Sequence, residues 1–228
     1  MNIRFLGHAA FSLEAGGTTV LIDPFLTGNP KAAASADEVK ADAILLTHGH
    51  PDHYGDIVDI AKRTGATVVA ITELAHELSE ELGQDHAVFD PNMGGTVTLD
   101  WGSVRVVPAW HTSTTPKGTV NTPAGLLIEL GGKRVYHMGD TCLFSDLQLV
   151  KRYGRIDVAI MPIGGHYTMD RFDAVVAAEW VGADTIIPCH YGTFPPIETD
   201  AQAFKSDVEN ATESKVVVLA PGETHTVR

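Results

Sequence analysis

Along this chain apolar residues come in short β-branched and aliphatic runs, punctuated by glycine, proline or charged residues. Buried and half-buried strands are written this way. The pattern predicts strands near 2–6, 10–15, 18–23, 43–47, 67–71, 96–99, 103–109, 124–130, 133–138, 156–160, 184–188 and 216–219. A helical period replaces it near 56–64, 72–82, 145–153, 170–181 and 200–210. Ala15-Gly16-Gly17 and Gly131-Gly132 mark hairpin turns. Asp170 followed by Asp173 places acidic groups where a helix begins. Meandering strands come first, helices join later, and strand–helix units then repeat. An α/β fold built as a four-layer αββα sandwich accommodates this order, with two sheets face to face and helices outside. A length of 228 residues suits one domain, 1–228, rather than two.

The strand exits are where the pattern becomes chemical. ADAILLT runs into HGHPDHYGD, so that His48, His50, Asp52 and His53 spell HxHxDH. At this chain's histidine content one chance copy is expected on the order of a few times per thousand such sequences. Residues at i, i+2, i+4 and i+5 share neither a helix face nor one side of a strand. They converge only if the backbone wraps around a common point, and neutral imidazole and carboxylate are ligands for zinc, iron, manganese or nickel. Three further donors each close an apolar run: VRVVPAW ends at His111, KRVYHMG at Asp140 and DTIIPC at His190. Layered α/β folds collect their active sites in loops that leave the carboxyl ends of strands. Five imidazoles and two carboxylates suit two divalent ions at a shared site with room for water.

HxHxDH followed by a His, a GD and a late His resembles the metallo-β-lactamase superfamily of metal-dependent hydrolases. The opening MNIRFLGHAAFSLEAGGTTVLIDPF, then AWHTS, YHMGDT and CHYGTFP, are similar to one branch of it over nearly the whole chain. That branch holds small metal-dependent hydrolases related to the ascorbate-6-phosphate lactonases. The resemblance implies the metallo-β-lactamase fold, with one ion held by His48, His50 and His111. It implies a second ion held by Asp52, His53 and His190, with Asp140 bridging the pair. It also implies that Asp23, closing TTVLID, orients a metal-bound imidazole, a use that competes with that of an ordinary turn aspartate.

Two ions sharing a carboxylate can lower the pKa of water between them, and Asp52 is placed to take and return its proton. Zinc is favoured over manganese, with iron and nickel also open. The expected reaction is hydrolysis of a small ester, lactone or phosphodiester. His8, after the first strand, is a catalytic candidate as substrate contact or proton shuttle, with a structural histidine as the alternative. His166, in PIGGHYTMD, is a candidate for holding substrate. His137 alternates with Tyr136 and reads as packing or as support for a ligand. Cys142 and Cys189 read as buried inert thiols. His76, His86 and His225 sit in helical or loop contexts and earn no role.

Charge narrows the partners. Sixteen Lys and Arg against 29 Asp and Glu leave a net −13 with no basic cluster. No nucleic-acid partner is expected, which weighs against a nuclease, and a small-molecule substrate is favoured. His50 stands where oxygen-reducing members of the superfamily carry glutamate, which disfavours redox chemistry. A non-catalytic metal-dependent sensor is the other alternative, and the complete ligand set favours catalysis over it. No apolar run nears ~20 residues, so no membrane span is expected. The opening residues read as a strand rather than a leader, and two unpaired cysteines fit the cytoplasm. A homo-oligomer is compatible with all of this.

Overall fold

The computed structural model describes residues 1–228. One seven-stranded sheet runs in the order β14 (Thr224–Thr226), β1 (Asn2–Gly7), β2 (Ala10–Ala15), β3 (Thr18–Ile22), β4 (Ala43–Leu45), β5 (Thr67–Val69), β6 (Val88–Phe89). The second, also of seven strands, runs β13 (Lys215–Val216), β12 (Thr185–Cys189), β11 (Val158–Pro162), β10 (Lys133–His137), β9 (Ala124–Leu130), β8 (Gly102–Pro108), β7 (Thr96–Leu99). The hairpin turns lie where the glycines place them. Gly16 and Gly17 have φ of 61° and 88°, and Gly131 and Gly132 have 56° and 74°, the left-handed pairs that a two-residue turn demands.

The apolar faces of the two sheets meet in one cluster, with Phe5, Phe11, Leu13 and Ile22 on one side and Val106, Leu126, Ile128 and Ile160 on the other. The outer face of the first sheet packs on α2 (Ile57–Thr64) and α3 (Thr72–Leu82) through Leu21, Ile44, Ile60 and Leu74. The outer face of the second packs on α4 (Arg171–Val181), α5 (Ala201–Ala211) and a 3-10 helix, Ser145–Tyr153, through Tyr136, Ala159, Ala177 and Phe204. The chain is thus a four-layer αββα sandwich, because each sheet buries both faces and each helix only one. α4 starts at Asp170, whose carboxylate accepts from the amides of Phe172 and Asp173. No helix is long and apolar enough to cross a membrane.

Several expectations shift. Residues 145–153 form a 3-10 helix rather than an α-helix. Residues three apart share a face in that geometry, so Leu147 and Val150 are buried and Leu149 is 50% exposed. The strand expected at 156–160 lies at 158–162, in parallel register with β12 out to Pro162 and Cys189. The one expected at 216–219 shortens to Lys215–Val216. β6 and β14 are additional short edge strands whose pairing partners lie far off in sequence, and His225 sits on β14 rather than in a helix or loop. Cys189 is buried, but Cys142 is exposed, against the expectation of two buried thiols.

Candidate metal centre

β1, β3 and β4 run one way in the first sheet, as do β8, β10, β11 and β12 in the second. Their carboxyl ends meet along one edge of the sandwich. Two backbone bonds lace the sheets there, His190 N to His8 O at 2.8 Å and Ala124 N to Thr47 O at 3.0 Å. His8 leaves β1, Asp23 β3, His48 β4, His111 β8, Asp140 β10 and His190 β12. Gly139 has φ 64°, and a Cβ there would lie 2.5 Å from Ala124 O, so only glycine brings Asp140 this close to the crossing. His8, Asp23, His166 and His190 hold left-handed backbone with φ between 44° and 60°. Such strain in non-glycine residues persists only where the surroundings over-determine it.

The HxHxDH segment is half extended and half helical. His50 is extended (φ −61°, ψ 146°), and Pro51 then opens α1 (Pro51–Tyr54), which carries Asp52 and His53. This switch of backbone lets an i, i+2, i+4, i+5 pattern converge. Ligand atoms of His48, His50 and His111 lie within 4.8 Å of one another, and so do those of Asp52, His53, His190 and His8. Asp140 lies between the groups. Its Oδ2 is 3.9 Å from His48 Nε2, 3.6 Å from His111 Nε2 and 3.1 Å from His190 Nε2, and its Oδ1 is 3.2 Å from His53 Nε2.

The same atoms are left without hydrogen bonds. His53 Nε2, His190 Nε2 and Asp140 Oδ1 are buried and unpartnered, because the 3.1–3.2 Å approaches among them are out of line for hydrogen bonding. Buried polar atoms are rarely abandoned, and a cluster of them aimed at one volume fits a cation. Ligands about 2.1 Å from a tetrahedral ion stand ~3.4 Å apart, within the range of these spacings. The residues present therefore fit divalent metal.

Tautomers follow from the support beneath. Asp23 is fully buried, and its Oδ2 takes His53 Nδ1–H at 2.7 Å and the Thr47 hydroxyl at 2.6 Å. Thr47 Oγ1 then accepts from His48 Nδ1–H at 3.0 Å. Both Nε2 lone pairs face the cluster as a result. Burial holds His48, His50 and His111 below the ordinary imidazole value, so they are neutral donors. Burial opposes protonation of His53 and His190 too, but Asp140 outweighs it, pushing His190 up to about 9 and, with Asp23, raising His53. Asp140 and Asp52 are held well below the usual carboxylate range, their imidazole neighbours overcoming burial. The pocket draws positive charge to itself.

Burial lowers His8 to about 4, so it is neutral. Its Nε2 donates to Asp52 Oδ2 at 3.0 Å, and its Nδ1 accepts from the Thr193 hydroxyl at 2.9 Å. His137 is buried beneath the site, with Nε2 3.2 Å from Ala9 O. His166 is exposed and its ring packs edge-on against Tyr167, and it is Tyr167 that lines the cleft. His76 and His86 lie away from the cluster, paired with Asp90 and Ala66 O. The cleft itself is about 380 Å³, floored by His50, Asp52, His111, Asp140 and His190 and completed by Thr112, Tyr167 and Phe194.

Sequence reasoning missed Thr47, Thr193, Tyr167, Phe194, and the pair Ser113 and Asn121 that bind Gly49 N between His48 and His50. Thr47 and Tyr167 adjoin singled-out histidines and could have been found by that signal. Ser113, Thr193 and Phe194 lie within AWHTS and CHYGTFP, which carried the same signal, and Asn121 is brought in by tertiary contact alone.

The β-lactamase superfamily domain matches residues 2–190. A UPF0173 metal-dependent hydrolase of Pelotomaculum thermopropionicum is 44% identical over 229 residues, covering 98% of this chain and 99% of its own. One from Thermus thermophilus is 46% identical over 226 residues, covering 98% and 97%. Among solved structures, a metallo hydrolase from Ignicoccus hospitalis superposes with a TM-score of 0.88 at 36% identity, covering 98% and 97%. With a sandwich of this architecture and an unpartnered His/Asp cluster at its edge, the chain belongs to the β-lactamase superfamily, as a member of its UPF0173 metal-dependent hydrolases.

Proposed function

We propose that this metal-dependent hydrolase works with two divalent ions and cleaves a small ester or lactone, with phosphodiesters as the next class. One observation carries the reading: two groups of donor atoms share Asp140 and open onto one cleft. His48, His50 and His111 would hold one ion, Asp52, His53 and His190 the other, and Asp140 would bridge them. When bound, such ions polarise the electrophilic oxygen and make water a nucleophile near neutral pH. Zinc suits this nitrogen-rich donor set best, ahead of manganese, iron or nickel.

The chain's own residues do the rest. Asp52 lines the cleft beside both donor groups, where its carboxylate would take the proton of the attacking water and return it to the leaving group. His8 holds that carboxylate in place through Nε2, and Thr193 fixes the His8 tautomer. Thr112, Tyr167 and Phe194 bound the space where substrate sits, and His166 acts through Tyr167. No Lys or Arg lines the cleft, and a net −13 repels a polyanion, so the substrate is a small molecule rather than nucleic acid. Two free thiols fit a reducing setting such as the cytoplasm.

Metal analysis of protein purified without chelator should give close to two ions per chain. The same preparation should turn over members of a lactone and ester panel faster than single-stranded RNA. Asp140→Ala should lose most of one ion and nearly all turnover, and His76→Ala should lose neither. Saturation at one ion removes the two-ion reading. RNA cleavage that outpaces every small substrate and vanishes in His48→Ala makes the protein a nuclease.

A further inference from the structure

We infer that the part of the substrate beyond the reacting bond is uncharged and apolar, and that Tyr167 and Phe194 grip it. The inference deepens the ester-or-lactone reading and rests on it. Beyond the metal-site side chains, the cleft lining is Thr112, Tyr167 and Phe194, with no cation among them. The cations on the neighbouring segments are engaged elsewhere. Lys117, following Thr112 along its loop, pairs with Glu81 at 2.8 Å. Arg171, the next cation after Tyr167, pairs with Asp207 and lies over the Phe172 ring. Asp52 and Asp140 offset part of the charge that two ions bring, and the chain as a whole carries a net −13. A second anionic group on the substrate, distal to the reacting carbonyl, would be desolvated with no partner.

The apolar walls are preformed. Tyr167 is 55% exposed, yet its ring is propped edge-on by His166, with centroids 4.5 Å apart and an interplanar angle of 87°. Left-handed backbone at His166 (φ 58°) makes that turn. Phe194 packs edge-on against the buried His8 ring at 5.7 Å. Rings held by neighbours lose little entropy when they close on a ligand, and the Thr112 hydroxyl and the Tyr167 phenol are the neutral hydrogen-bonding groups among the walls. At ~30 Å³ for each water-sized group, the 380 Å³ cleft takes an acyl chain of several carbons.

The test uses metal-loaded protein and two matched ligand sets. Among 4-nitrophenyl acetate, butyrate and hexanoate, kcat/KM should rise by about two- to fourfold per methylene until the cleft is full. The hemiadipate ester, which replaces the terminal methyl of the hexanoate by a carboxylate, should fall at least ~10-fold below it. Tyr167→Ala should flatten the series at unchanged metal content, and Tyr167→Phe should keep it. Independently of turnover, hexanohydroxamate should bind at least ~10-fold tighter than adipic monohydroxamate by calorimetry, because the two share a metal-chelating head and differ only at the far end. Equal or tighter binding of the carboxylated hydroxamate overturns the inference. If no ester is cleaved but the hydroxamate preference holds, the ester reading fails and the apolar wall stands. If esters are cleaved with hemiadipate preferred, the reverse is true.

Discussion

Asp23 supports both halves of the site from beneath. It meets His53 directly and His48 through the Thr47 hydroxyl, and Thr47 N at 2.8 Å fixes its other oxygen. A carboxylate in that position makes both imidazoles better donors and locks their tautomers. Asp23→Asn preserves shape but removes the charge, so both ions should bind about 10- to 100-fold more weakly. Competition with a chromophoric chelator measures this, and unchanged affinity at both sites would reduce Asp23 to a turn residue. The loss should be larger at the site of His53, whose contact with Asp23 is direct.

At the scale of elements, the segment Ser145–Tyr153 gives the sharpest test of local structure against sequence period. As a 3-10 helix it turns Leu147 and Val150 onto the second sheet and Leu149 to solvent. Leu147→Ala should cost about 2–5 kcal/mol by leaving a cavity. Leu149→Ala should stay within about 0.5 kcal/mol. Denaturant titration of the two variants checks which face of the segment is buried, since comparable losses would mean that Leu149 packs as deeply as Leu147. The strand exits matter in a different way: four of them end in left-handed histidine or aspartate, and the bulge between Phe5 and Gly7 re-aims β1 toward His8. Strain of this kind is tolerated because the paired strands on either side fix it.

The whole molecule is a device for bringing two sheets' edges together. His48, His50, Asp52 and His53 ride on the first sheet, and His111, Asp140 and His190 on the second, so each ion would tie the layers. Ions that bind only the folded chain stabilise it by mass action, about 2.7 kcal/mol per site at a hundredfold excess over Kd. For a chain of this size that is roughly 5–10 °C in Tm per ion. Stripping with a chelator should therefore lower Tm by at least that much, and restoring zinc should recover it. An identical melting curve before and after stripping would mean that the ions do not bridge the sheets.

By itself the sequence determined the class of the fold and named the seven candidate donors that the structure gathers at one edge. Strand runs and glycine hairpins are local signals, and a metal motif needs residue types at fixed spacing, which survive in a linear string. Asp170 as a helix cap and Asp23 beneath an imidazole were legible for the same reason. Only the tertiary structure decided what the donors share and what surrounds them. Asp140 lies between the two groups because β10 is central in its sheet, and His8 meets Asp52 because β1 ends beside α1. Tyr167 took the place expected of His166 in the cleft because one left-handed residue turned the loop. β6 and β14 exist through partners far along the chain, and Cys142 is exposed because its strand exit ends at the surface. These depend on where distant segments meet, which packing of two sheets settles and no local period encodes.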